Sequence, residues 1–360
     1  MKMNNKTRLF VDIHVMQTVP PNCVNRDDTG SPKTAFYGGA RRARVSSQAW
    51  KRAVRMAFRD MYAPEDLGVR TKRIVRMVQK HIEALDPGRN AEKEAVKVLQ
   101  AAGLPINEKD PDRGTEALFF MSEAQAEALA QIAVNDPDKM KDKDACRLAL
   151  KEHASIDLAL FGRMVASDPS LNYDAAAKVA HAISTHSVQN EYDYFTAVDD
   201  LSSEDNAGAG HLGTVEFNSS TLYRYATVNV RELAASVGEM TASAVRHFVE
   251  AFACSMPTGK QNTFANRTLP EAIYVVVRKD QPINLAGAFE RPVEADPLGG
   301  YSVPSCTRLS EYASKVYSDY SGKPVKAWSL GTVVAESEKL PLPELLDALE
   351  EYLSTEMNEG

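Results

Sequence analysis

The chain has 360 residues, 44% of them hydrophobic and 25% charged, and a formal net charge of −7. That length suggests two or three structural units with a full core, and that composition fits an ordinary soluble globular protein rather than a disordered or fibrous one. No run of 18 apolar residues occurs and the N-terminal stretch enters an alternating pattern without an apolar signal core, so neither a membrane span nor a secretory signal is expected.

Cys23, Cys146, Cys254 and Cys306 lie far apart with no CxxC pair, which favours reduced thiols in a cytoplasmic protein over a zinc knuckle. The charge is unevenly spread. Residues 1–82 carry 17 Lys and Arg against 6 Asp and Glu, a net of +11, whereas the remaining 278 residues carry a net of −18. One basic surface can therefore meet a polyanion while the rest keeps the protein soluble.

In chain order, "RLFVDIHVMQ" alternates Leu9, Val11, Ile13 and Val15 with Phe10, Asp12, His14 and Met16, the signature of a strand with one buried face. "TVPPNCVNRDDTGSPKTAFYGG" reads as a loop ending in Gly38-Gly39. "ARRARV" is short and extended, and Ser46 or Ser47 is a good N-cap for the helix that follows. In that helix Trp50, Ala53, Val54, Ala57, Phe58 and Met61 recur at helical spacing and are expected on a sheet. Gln48, Lys51, Arg52, Arg55 and Arg59 fall opposite, and no carboxylate occurs from Thr29 to Arg59. A merely solvated face normally mixes signs, so uncompensated repulsion here points to an external anion.

Residues 63–171 read as mostly helix, an insertion or subdomain. "AEKEAVKVLQAAGL" ends at a Gly-Leu-Pro, "SEAQAEALAQIAV" opens with Ser122 and Gln125 in capping-box spacing, and a third pattern runs through "KDACRLALKEHASIDLALFGRM". "YDAAAKVAHAISTHSV" is expected as a further helix. "EYDYFTAVD" and "LYRYATVNV" are strand candidates around a Gly-rich polar loop. "RELAASVGEMTASAVRHFVEAFACSM" carries a helical stripe, and "AIYVVVR" is a buried-type strand. Joined to the front strand and helix, the order is β-α-β-β-α-β, an α+β, ferredoxin-like arrangement shared by many RNA-binding domains. "PLPELLDALEEYLSTE" is an acidic amphipathic helix expected to pack on its own chain.

Catalytic motifs are scarce. His181 and His186 are five apart, so on a helix they would not share a face as a zinc hydrolase requires, and His211 stands alone in the Gly-rich loop. There is no GxSxG, Walker A or GxGxxG sequence. Asp199, Asp200, Glu204 and Asp205 cluster before the loop, and Asp27-Asp28 follow Arg26. Such carboxylates can hold Mg²⁺ for phosphoryl transfer, but acids beside Gly and Ser more often cap turns. Around the capped helix start, by contrast, six to eight basic side chains can meet successive phosphates, with Ser46, Ser47 and Gln48 as neutral donors. No aromatic RNP signature accompanies them, which favours tracking of a backbone over base stacking on the sheet. A second basic run, Arg70, Lys72, Arg73, Arg76 and Lys80, either extends the path or is the wet side of a helix.

"CVNRDDTGSPKTAFYGGARRARVSSQAWKRAVR", with "FTAVDDL", "AHAISTHSV", "AGHLGTVEF" and "GKQNTFA", resembles the CasC family, the backbone subunit of the type I-E CRISPR Cascade complex. The resemblance implies an RRM-like palm over residues 1–62 and 172–340, a helical fingers insertion over 63–171 and a thumb loop over 200–222, leaving 341–360 as the C-terminal acidic helix. It implies a non-enzymatic protein without metal or cofactor. Its partners would be the guide crRNA, the target DNA strand paired to it, further copies of itself in a helical filament, and other Cascade subunits.

Carried over by residue, Arg26, Lys33, Arg41, Arg42, Ser46, Ser47, Gln48, Lys51 and Arg52 would line the guide backbone, joined by Lys260 and Gln261. Met164 would wedge against bases, and His211 and Leu212 would belong to the thumb. Two positions depart from the family pattern: Ala40 stands where a lysine can precede the arginine pair, and Tyr194, which can still stack, where a tryptophan can stand. A related branch, in type III systems, cuts RNA with a thumb aspartate, so Asp199, Asp200 and Asp205 keep a metal-dependent ribonuclease open as the alternative. A third reading is an interaction module whose basic face docks an acidic protein.

Overall fold

The computed structural model describes residues 8–107, 110, 114–136, 138–197, 212–332 and 334–358. The chain folds as two compact units: one of Met1–Val54, Val179–Thr227 and Phe248–Gly360, the other of Arg55–Lys178 and Val228–His247. This division differs from the expected 1–62, 63–171 and 172–340 boundaries. The helical unit begins inside the basic helix, extends to Lys178, and takes back Val228–His247 from the second half of the chain.

The first unit is built on one sheet. Its four central strands run Ala272–Arg278, Phe10–Asn22, Leu212–Asn229 and Ala182–Ser184. Numbered along the β-α-β-β-α-β motif, that is the order fourth, first, third, second of a ferredoxin-like palm. Beyond Ala182–Ser184 the hairpin Ala40–Val45 and Thr34–Tyr37 extends one edge, and Lys326–Gly331 with Glu338–Lys339 extends the other. Lys326–Gly331 pairs with Ala272–Arg278, Trp328 standing opposite Val275.

Phe10–Asn22 pairs antiparallel with Ala272–Arg278, Val11 opposite Val277 and Val15 opposite Ile273. Both of its faces are buried, which corrects the expectation of one wet face: Asp12 and His14 are as enclosed as Val11 and Ile13. The second face is covered because helix Ser302–Val316 lays Cys306, Leu309 and Ala313 over Met16, Tyr223, Tyr225 and Tyr274. The polar side chains trapped there bond to each other. Tyr225 donates to Asp12 Oδ1 at 3.0 Å, the Ile283 N–H donates to Asp12 Oδ2 at 2.8 Å, and His14 Nδ1 lies 2.8 Å from the Tyr223 hydroxyl. Burial raises the Asp12 carboxyl to about 6 and lowers His14 to about 3.

The segment read as a helix at 173–188 is instead two short strands, Ala177–Val179 and Ala182–Ser184, with Ile183 paired to Tyr223 and Ser184 to Leu222. Its alanines favour a helix locally. Pairing buries Ala182, Ser184 and Thr185, and that tertiary gain overrides propensity. The second strand of the motif is thus this segment, and "EYDYFTAVD" forms a separate strand, Glu191–Thr196, hydrogen-bonded to the outer part of the long strand. The C-terminal helix Leu342–Asn358 packs on its own chain through Leu345, Leu346, Leu349 and Leu353, with Tyr352 edge-on to Trp328.

In the second unit, helices Ile74–Leu85, Ala91–Ala101 and Glu123–Asn135 enclose Val78, Ile82, Ala95, Leu99, Leu129 and Ala130. The capping box is present: Ser122 Oγ accepts from Gln125 N–H, and the Gln125 side chain accepts from Ser122 N–H. A strand pair absent from the sequence reading, Gly68–Thr71 with Phe119–Ser122, closes one side. The third helical pattern breaks into Lys143–Ala149 and Ile156–Phe161 around His153 at φ 55°. Similarly, Val230–Val237 stops at Gly238, φ 56°, before Thr241–Cys254 begins.

Candidate nucleic-acid interface

Helix Ser47–Ala57 starts at a real cap: Ser46 Oγ accepts from the Ala49 N–H at 3.3 Å. Its buried side in the first unit is Trp50, Ala53 and Val54, as the spacing requires. Beneath it lies Arg224, 1% exposed, its guanidinium 3.7 Å from the Trp50 ring centroid and 4.5 Å from that of Phe252. Arg224 donates to Gln17 Oε1 and to the Phe252 carbonyl, and burial lowers it to about 9. Phe58, expected on the same sheet, packs in the helical unit against Tyr62 and Phe161.

The outward side carries Gln48 and Arg52, both exposed, and Lys51, half-buried and pushed below the ordinary lysine value by that burial. Asn25 stitches the preceding loop to this helix start. Its side-chain oxygen accepts from Ser46 N–H at 2.9 Å, and its carbonyl accepts from Lys33 N–H at 2.9 Å. Asp27 folds the loop tip on itself by accepting from Thr29 Oγ1 at 2.7 Å and from the Thr29 and Ser31 N–H groups. That leaves Arg26 exposed at the rim. The 255–260 segment crosses this loop so closely that a Cβ on Gly259 would lie 2.2 Å from the Val24 carbonyl oxygen. Lys260 follows at φ 52° and opens the short helix Gln261–Phe264. Burial raises the Cys23 thiol, Arg26 and Lys260 pull it down, and Asp27 and Glu216 push it up, so four charges from three chain segments gather around one sulfur.

Two predicted contacts belong to the interior. Arg42 is 0% exposed. Its Nη1 donates to the Ser184 and Thr185 carbonyls, each at 2.9 Å, and its Nη2 to those of Phe289 and Glu290 at 2.9 and 3.3 Å. It is a clamp on the fold rather than a surface cation. Ser47 is buried as well and donates to Gln48 Oε1 at 3.2 Å, which orients that amide. Arg41, its neighbour on the pleat, stays exposed and lies over the Phe36 ring at 5.8 Å. Arg44 approaches His181 Nδ1 at 3.4 Å, and burial, Arg44 and Lys33 all hold His181 down. Arg55, read as outward, is bound instead to the buried Asp157 at 3.1 Å.

The strands Glu191–Thr196 and Leu212–Asn229 form an arm whose first strand is exposed along its whole length. Tyr194 and Leu212 are 66% and 68% exposed. Phe195 covers Gly213, where a Cβ would meet its ring at 2.3 Å. His211 and the carboxylates Asp199, Asp200, Glu204 and Asp205 lie outside the described residues. Among the described residues, no group of three His, Cys, Asp or Glu side chains could hold a metal ion, and no helix is long and apolar enough to cross a membrane.

Met164 belongs to the second unit, where it is 85% exposed. The backbone is held at the residue before it. Arg163 is buried, donates to the Phe120, Leu150 and Leu171 carbonyls at 2.8–3.0 Å, and lies over the Phe119 ring. An apolar side chain therefore projects from an anchored backbone. Of the second basic run, Arg76 and Lys80 lie exposed on helix Ile74–Leu85, whose buried residues are Ile74, Val75, Val78 and Ile82; Arg70 is on strand Gly68–Thr71, and Lys72 and Arg73 precede the helix.

Sequence reasoning did not single out Tyr192, Gln189, Asn190 or Glu216. With Arg41, Ser187 and Val188 they line a depression of about 510 Å³ at the root of the arm. Asn190 and Tyr192 alternate along "QNEYDY", a sequence signal for one strand face, whereas Gln189 and Glu216 fall outside that alternation.

The family model of the CT1975-like proteins matches residues 11–353. No curated protein sequence matches the chain at a significant level. Among solved structures, a chain of a "CRISPR RNA-guided surveillance complex, pre-nicking" is 33% identical with a TM-score of 0.80, covering 96% of this chain and 100% of that one. A second, from a "CRISPR RNA-guided surveillance complex", is 30% identical with a TM-score of 0.62, covering 95% and 99%. The family match over nearly the whole length, on a ferredoxin-like palm, makes the chain a member of the CT1975-like, CasC-like family.

Proposed function

We propose that this protein is a non-enzymatic backbone subunit of a type I-E CRISPR surveillance complex. It polymerises along the spacer of the guide crRNA, holds the phosphate backbone without reading sequence, and presents the guide for pairing with target DNA. One observation carries the reading: Arg26, Lys33, Arg41, Lys51, Arg52 and Lys260 are at least partly exposed on one unit, and the stretch from Thr29 to Arg59, which supplies four of them, holds no carboxylate. Cations in that arrangement replace the counterions of a single strand whatever its bases. Ser46 and Gln48 at the helix start add neutral donors and Gln261 another, with Ser47 acting through Gln48. Met164 supplies a soft wedge between bases, and Tyr194 with Leu212 covers a nucleotide from the arm. The similarity to chains of RNA-guided surveillance complexes supports the same partners.

Six neutralised phosphates give a slope of log K against log salt of about −4 for single-stranded RNA. Filter-binding across a salt series reads it, and a slope near zero refutes the basic-face reading. Lys51→Glu with Arg52→Glu is expected to abolish RNA retention while leaving the circular dichroism melt unchanged. Normal affinity in that double variant argues against the assignment just as strongly.

A further inference from the structure

The depression lined by Arg41, Gln189, Asn190, Tyr192 and Glu216 is chemically unlike the phosphate path beside it, because it places a carboxylate within a basic face. Tyr192 and Glu216 stand directly opposite each other on the arm's two strands, so both project from the same face of the hairpin. Asn190 and Tyr194 share that face with Tyr192 by alternation. Tyr192 is 68% exposed. The position of Glu216 is fixed: Asn190 Nδ2 donates to Oε2 at 3.0 Å, and Asn218 Nδ2 donates to Asn190 Oδ1 at 3.3 Å. Asn218 is anchored in turn by Asn22, whose Nδ2 donates to the Asn218 carbonyl at 2.9 Å. Glu216 Oε1 accepts no hydrogen bond from the described residues. A pre-positioned anionic acceptor repels a phosphate but suits the N–H edge of a base. A phenol ring and a guanidinium supply flat surfaces for that base to stack on.

We infer that this depression is a nucleobase niche, stacking one unpaired guide base against Tyr192 and Arg41 and favouring an amino-bearing edge such as that of cytosine over the carbonyl edge of uracil, through Glu216. The inference rests on the RNA-binding reading above and adds to it a base preference at one position. The phosphate contacts remain blind to sequence, so the preference is a modest bias rather than a code.

Competition binding of ribocytidine and ribouridine oligomers of equal length to the full chain, at one salt concentration, tests the niche. The expected preference for the cytidine oligomer is about fivefold, the discrimination of one good hydrogen-bonded edge contact. Glu216→Gln keeps the acceptor that Asn190 holds but can turn an amide donor to the uracil carbonyl, so the ratio is expected to fall to about one or invert. Tyr192→Ala is expected to weaken both oligomers by a similar factor and leave the ratio in place, since stacking is shared by all bases. Equal binding by the wild type, or a preference that Glu216→Gln leaves untouched, overturns the niche while leaving the RNA reading intact. Binding of neither oligomer overturns the RNA reading, and the niche with it.

Discussion

At the scale of single residues, charge in the sequence and charge on the surface are different quantities. Arg41 and Arg42 are adjacent, equally basic and equally suited to phosphate, yet the pleat sends one outward and the other into the interior. What holds Arg42 there is four carbonyls from two segments far along the chain, at 184–185 and 289–290. Nothing local to "ARRARV" encodes them. Arg42→Met is therefore expected to lower unfolding stability of the RNA-free protein by about 3 kcal/mol, because the carbonyls lose their donors in a buried setting. Urea denaturation measures this. A variant that unfolds like the wild type but binds RNA poorly returns Arg42 to the interface. Arg55 repeats the lesson, since its partner Asp157 and the Phe120 ring beneath it come from distant segments.

At the scale of elements, strong periodicity and caps are legible in the sequence before any partner is known. The basic helix, the Ser122 capping box and the strands "AIYVVVR" and "LYRYATVNV" all follow from local pattern. "DAAAKVAHAIS" forms strands rather than the helix its alanines favour, because a strand's stability lies in its neighbours and alanine propensity says nothing of them. The Gly38-Gly39 turn, read from the sequence as the end of a loop, closes the Thr34–Tyr37 and Ala40–Val45 hairpin. Its two glycines are not equivalent. Gly38 sits at φ 57° with a Cβ position 1.5 Å from the Glu290 carbonyl oxygen, whereas Gly39, at φ 74°, has open space. Gly39→Ala is expected to cost about 1 kcal/mol of backbone strain. Gly38→Ala adds a backbone clash and is expected to cost more than about 3 kcal/mol, or to displace the hairpin that carries Arg41. Thermal melts of the two variants side by side test the difference, and equal melting temperatures contradict it.

At the scale of the whole molecule, the palm encloses titratable groups that the surface chemistry does not use. Asp12, raised to about 6 by burial, is more easily protonated folded than unfolded. Its contribution is therefore fully present below about pH 4 and lost as pH rises through about 6, worth about 3 kcal/mol. His14, lowered to about 3, works in the opposite sense: its contribution is present above pH 6.5 and lost as pH falls towards 3. The two offset each other between pH 6 and pH 4. Asp12→Asn removes one arm of the balance, so its stability is expected to fall more steeply than that of the wild type over that interval. Urea titrations at pH 6 and pH 4.5 check the slope, and parallel profiles exclude the role given to Asp12.

Local pattern alone established an α+β protein with a ferredoxin-like order of elements, a helical insertion and a basic stretch without acids, because period, caps and charge are properties of neighbours in the chain. Tertiary structure decided which arginines are clamps, which segment supplies the second central strand, where the two units divide and how Tyr192, Glu216 and Arg41 come to line one depression. Those outcomes depend on burial and on hydrogen-bond partners supplied from distant parts of the chain, and such partners exist only once the chain has folded.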